Sequence, residues 1–91
     1  MRLTWSEYAR YKYSEQISYI ALRNPKAAED IEASIEKALN RILLFHRTGR
    51  TGRYPDTFEC IVKKAPLIIV YEIREEMITV LNVLHTAQEY P

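Results

Sequence analysis

The chain has a single cysteine, Cys60, and only two glycines, Gly49 and Gly52, among its 91 residues. One thiol cannot close an internal disulfide, so the sequence reads as that of a protein from a reducing compartment, the cytoplasm. Few prolines and glycines and no low-complexity tract argue against a linker, and 47% hydrophobic residues argue against a disordered tail. No apolar run approaches the ~20 residues that cross a bilayer. The longest lies inside PLIIVYEI at 66–73. The N-terminus, MRLTWSEYARYK, lacks the apolar stretch of a leader, so neither secretion nor membrane insertion is expected. Excess charge is missing too. Thirteen Lys and Arg stand against twelve Asp and Glu, which points away from a basic protein that coats nucleic acid. This length has room for one domain, 1–91, with one layer packed on another.

What is present divides into two helices and a sheet. RLTW at 2–5 is short and β-prone, and Ser6 after it is a good N-cap. From Glu7 to Arg23, Ala9, Tyr13, Ile17 and Ile20 recur at helical spacing. Asn24-Pro25 then supplies a stop and a start, since Asn24 can cap and Pro25 suits the first helical position. The second helix is expected from Pro25 to about His46, burying Ala28, Ile31, Ile35, Ala38, Leu39, Ile42 and Phe45. FECIVK, LIIVYEI and MITVLNVL are β-branched runs with short links, as in an antiparallel meander. The middle run is continuously apolar, which places it centrally and covered on both faces. The expected fold class is therefore α+β, an N-terminal strand and an antiparallel helical hairpin packed on a curved, mainly antiparallel sheet. Its shared core is expected to include Trp5, Ile31, Ile35, Leu39, Ile42, Ile69 and Val70.

FHRTGRTGRYP at 45–55 holds both glycines and three arginines, Arg47, Arg50 and Arg53. On a chain of net charge +1 these three leave the remainder slightly acidic, so the loop is a local patch suited to an anionic partner. Gly49 is expected to be a left-handed C-terminal cap of the second helix. The loop lacks the Gly-Lys-Ser/Thr ending of a phosphate loop and follows a helix instead of preceding one. His46, Cys60 and His85 are scattered, with no ligand spacing for a metal, and no cofactor is expected. Cys60 sits inside a β-run, where a buried, inert thiol is the expectation. His85, just past the last strand in VLHTAQEYP, could move a proton. With Tyr90, and with Arg47, Arg50, Arg53 or Arg74 to stabilise charge, it would make a metal-free ribonuclease site. The alternative is that His85 hydrogen-bonds a backbone group and fixes the tail.

Taken in order, LTW at 3–5, YIA at 19–21, RNPKAA at 23–28, GRTGR at 49–53, ECIV at 59–62, IIVYEI at 68–73 and VLHTAQEYP at 83–91 resemble the RelE/ParE superfamily of toxins from bacterial type II toxin–antitoxin modules. The resemblance spans essentially the whole chain and agrees with the α+β reading. It implies a growth-arresting toxin, of the kind also tied to plasmid stabilisation, held harmless by a cognate antitoxin as a homodimer or a heterotetramer. Two mechanisms occur among such toxins. RelE-like members cleave messenger RNA on the ribosome, and that reading would use His85, Tyr90, Arg74 and Lys63 as catalytic residues. ParE-like members poison DNA gyrase without being nucleases, and here Arg47, Arg50, Arg53, His85 and Tyr90 would bind the target. The sequence departs from the RelE-like pattern, having no Lys or Arg after the last strand and none within LIIVYEI. It also reads PDTFE where members often read Gly-Thr-Arg before Glu-Leu, which puts Phe58 in the place of an arginine. The expected function is that of a ParE-like gyrase poison, against a RelE-like endonuclease and against a degenerate toxin that only binds its antitoxin.

Overall fold

The computed structural model describes residues 1–86. Strand β1 (Arg2–Trp5) leads into helices α1 (Glu7–Arg23) and α2 (Pro25–Leu44), then strands β2 (Arg50–Thr51), β3 (Thr57–Ile61), β4 (Leu67–Arg74) and β5 (Met77–His85). The sheet order is β1-β5-β4-β3-β2. β1 runs parallel to β5, and every other pair is antiparallel. The chain thus lays down one edge of the sheet, crosses over as a helical hairpin, and returns as a meander that ends beside its own first strand.

The helix boundaries follow from their caps. The Ser6 hydroxyl accepts the Ala9 N–H at 3.0 Å, satisfying one of the free donors of the first turn of α1. Asn24 closes α1 through its N–H to Ile20 O at 2.7 Å, while its side chain accepts the Ala27 N–H at 3.1 Å and opens α2. One residue therefore ends one helix and starts the next, which holds the hairpin tight. α2 buries Ala28, Ile31, Ile35, Ala38 and Ile42 against the sheet, whereas α1 fully buries only Ala9 and rests Tyr13, Ile17 and Ile20 on the core.

Both helices lie on one face of the sheet. Leu67, Ile69 and Tyr71 of β4 point to them, together with Phe58 and Cys60 of β3 and Ile78, Val80 and Val83 of β5. Val80 and Val83 are three apart, an odd spacing that strict alternation would send to opposite faces. A bulge reconciles them: Val70 pairs with Asn82 but Tyr71 with Val80, leaving Leu81 as the extra residue.

Three expectations are corrected. Phe45 is 65% exposed, because α2 ends at Leu44 and the backbone leaves helical geometry at Phe45 (φ −132°), so helical period no longer sets its direction. Val70 is outside the core, since alternation along β4 puts it on the face opposite Ile69 and Tyr71. β4 is central, yet the helices cover only one of its faces; on the other, Ile68 is buried between Ile61 and Leu84 while Val70 and Glu72 are half-exposed.

Candidate functional site

The arginine loop is pinned rather than free. Tyr71, fully buried on the central strand, donates its hydroxyl to His46 O at 2.9 Å and accepts the Gly49 N–H at 3.2 Å. Beyond this clamp, Arg50 and Thr51 pair with Glu59 and Phe58 as the edge strand β2. The next turn closes on Thr57, whose carbonyl accepts the Gly52 N–H at 2.7 Å and whose hydroxyl donates to Tyr54 O at 2.5 Å. Neither glycine has a positive φ, which corrects the expectation of a left-handed cap at Gly49. The glycines serve close approach instead. A Cβ on Gly49 would stand 2.6 Å from Glu59 O, and one on Gly52 would collide with Thr57. The left-handed position of the loop is Asp56 (φ 62°), which stands where the Gly-Thr-Arg pattern has its glycine.

The three arginines then part company. The Arg47 guanidinium lies 5.2 Å above the Phe58 ring, which is itself buried and stacked on Tyr71 at 5.5 Å. Phe58 therefore belongs to the core, and the charge beside it comes from the loop. Arg50 is committed to Glu59, with Nε and Nη2 at 2.9 and 2.8 Å from Oε1. Arg53 lines a cleft of about 330 Å³ on the open face with Tyr54, Thr57, Glu59, Val70, Asn82 and Leu84.

The residues of the nuclease alternative are spread out. His85 pairs with Leu67 on the helix-facing side and lines a cleft of about 440 Å³ with Glu15, Gln16, Tyr19 and Ile20 of α1. No Lys or Arg lines that cleft among the described residues. Arg74 pairs with Met77 at the opposite end of β4, seven residues from Leu67, or roughly 24 Å at strand rise, and carries an exposed ion pair to Glu72. Lys63 lies in another cleft altogether. Tyr90 lies outside the described residues. Cys60 is buried, as expected, and accepts the Arg41 guanidinium at 3.2 Å.

One grouping was not anticipated from sequence. Ser34, Lys37 and Arg41 of α2 meet Lys63 and Lys64 of the β3–β4 turn in a cleft of about 280 Å³. The spacing of 34, 37 and 41 on one helical face was a usable signal. Its meeting with Lys63-Lys64 depends on how α2 lies across the sheet.

Among the described residues no helix is long and apolar enough to cross a membrane. The sequence matches, over residues 3–90, the family model described as ParE toxin of type II toxin-antitoxin system, parDE. It is 31% identical, over 99% of its own length and 93% of the other's, to Y4kP of Sinorhizobium fredii (strain NBRC 101917 / NGR234), which is named as a candidate toxin. Its fold is similar to a chain from the chromosomal ParDE TA system of P. aeruginosa, with a TM-score of 0.80 at 15% identity, covering 93% of this chain and 95% of that one. The helical hairpin over a mainly antiparallel sheet and the full-length match lead to one assignment: the chain belongs to the ParE toxin family of type II toxin–antitoxin systems.

Proposed function

We propose that the protein is a toxin that acts by binding, poisoning DNA gyrase in the ParE manner, and that a cognate antitoxin neutralises it. The supporting observation is the dispersal of the groups an RNA-cleaving site would need. Metal-free cleavage requires a proton-transferring group and cations within a few ångströms of one phosphate. His85 faces α1 on one side of the sheet, while Arg74 points the other way at the far end of β4. The centre of the open face carries Glu59 and Glu72, ion-paired with Arg50 and Arg74, so it presents no concentrated positive charge to a phosphate. Target contact is assigned to the loop arginines Arg47, Arg50 and Arg53, with His85 and Tyr90 contributing binding and no proton transfer.

The test compares purified protein in gyrase-dependent DNA cleavage and in messenger RNA cleavage on programmed ribosomes. Gyrase-dependent cleavage that weakens stepwise with single arginine-to-alanine changes, and is nearly untouched by His85→Ala, is the expected result. Ribosomal cleavage falling ~10²-fold or more with His85→Ala would instead establish general acid–base chemistry and overturn this reading.

A further inference from the structure

The cleft between α2 and the β3–β4 turn gathers four cations, Lys37, Arg41, Lys63 and Lys64, around one hydroxyl, Ser34, with no carboxylate in its lining among the described residues. Ion pairs among the described residues engage Lys26, Arg50 and Arg74, and none of these four. Like charges gathered without counter-ions raise the energy of the fold, so a grouping of this kind is suited to a ligand that brings the missing negative charge. Lys64 also holds a left-handed backbone (φ 61°), a conformation that is unfavourable for a side chain of its kind and that shapes the turn carrying both lysines.

The charge extends along the protein edge. Arg41 is half-buried and fixed by its 3.2 Å contact to Cys60 Sγ, so its guanidinium is held in place before any ligand arrives. The same residue lines a second cleft with Thr48, Gly49, Arg50, Glu59, Cys60 and Ile61. Glu59, the one acid there among the described residues, is already taken by Arg50. Two clefts joined through Arg41 make a track, from Lys63 and Lys64 past Lys37 and Arg41 to Thr48.

We propose that this track binds the sugar–phosphate backbone of DNA. An extended polyanion fits two linked clefts better than a single small anion does, and lysine, arginine, serine and threonine are the side chains that contact phosphate oxygens. An acidic peptide segment would need apolar anchors as well, and among the described residues the track offers only the exposed Ile61 beside buried Cys60. The proposal goes beyond the target assignment and fails or holds separately from it, since its cations, Lys37, Arg41, Lys63 and Lys64, lie on α2 and the β3–β4 turn and include none of the loop arginines assigned to the target.

The test is fluorescence polarisation with a labelled duplex of about 20 base pairs over a series of salt concentrations, using the intact chain. The variant Lys37→Ala/Lys63→Ala/Lys64→Asn changes only exposed side chains and keeps a residue tolerant of the left-handed backbone at 64. With folding verified by circular dichroism, it should lower affinity at least tenfold at low salt. It should also flatten the slope of log K against log salt by about 2–3, at ~0.9 for each phosphate that is no longer neutralised. Arg23→Ala/Lys26→Ala, at the end of α1 and the start of α2, far from the cleft along α2, should leave the slope unchanged. An unaltered slope in the triple variant, an equal loss in the control, or saturable binding of a polyglutamate peptide with none of DNA would each overturn the proposal. A triple variant that loses DNA binding while still poisoning gyrase supports the track and leaves the target reading intact, so the two fail separately.

Discussion

Tyr13 packs its ring against Trp5 at 5.5 Å under the start of the hairpin, and burial, with Glu32 nearby, pushes its phenol up to about 12. Tyr71 is raised as well, by burial first, against the opposing hydrogen bond from the Gly49 N–H. A raised phenol means that the fold prefers the neutral ring. Between an ordinary value near ~10 and the raised one, the folded state keeps a proton that the unfolded state has lost, so stability falls as pH rises. The contribution is complete below about pH 10 and disappears toward about 12. Urea midpoints should therefore be level from neutral pH to about 9 and then decline, with a shallower decline in Tyr13→Phe. An identical decline in that variant would place the alkaline sensitivity elsewhere. The glycines carry a parallel lesson, because Gly49 looked like a position chosen for backbone freedom, and both glycines prove to be positions where a Cβ would strike β3.

At the scale of elements, the β4–β5 hairpin is held by an unusual turn. Glu75 (φ 47°) and Glu76 (φ 66°) occupy the two central positions between the paired residues Arg74 and Met77, and both have the positive φ of a type I′ turn. Such turns favour Asn-Gly, because an ordinary L-residue in the left-handed region costs roughly 1–2 kcal/mol. Glu75→Asn/Glu76→Gly should raise stability by about 1–2 kcal/mol, read as a higher urea midpoint with an unchanged slope. A lower midpoint would mean that the glutamates make contacts worth more than the strain. The bulge at Leu81 belongs to the same scale. It keeps Val80 and Val83 on one face and brings His85 to the helix side, in register with Leu67, so a one-residue irregularity decides which cleft the histidine enters.

For the whole molecule, the decisive asymmetry is between the helices. α2 gives its apolar stripe to the sheet, while α1 leaves Tyr8, Tyr11, Tyr19 and Leu22 largely exposed, at spacings that align them along one side of the helix. Exposed apolar side chains in a row mark an interaction surface more often than chance does, and amphipathic helices dock on such faces. β1 and the part of β3 beyond Glu59 also present strand edges with no partner strand among the described residues. On binding the cognate antitoxin, amide exchange should slow in α1 and at one of these edges. Exchange that slows only in the β4–β5 interior, with α1 unchanged, would rule out this face as the antitoxin contact.

Much of the local structure was determined by the sequence alone. Ser6, Asn24 and Pro25 set both helix boundaries because caps act over a few residues, and the three β-branched runs became β3, β4 and β5 because alternation is a local property. The buried stripe of α2 was legible for the same reason as far as Ile42, and misread only at Phe45, where helical period stopped applying. What tertiary structure decided was every relation between distant residues. That Arg47 would stack on Phe58, that Arg50 would be taken by Glu59, and that Lys37 and Arg41 would meet Lys63 and Lys64 all depend on strand order and on the angle of α2. A charge pattern along the chain states how many cations a loop has; only the fold determines which of them already have a neighbour.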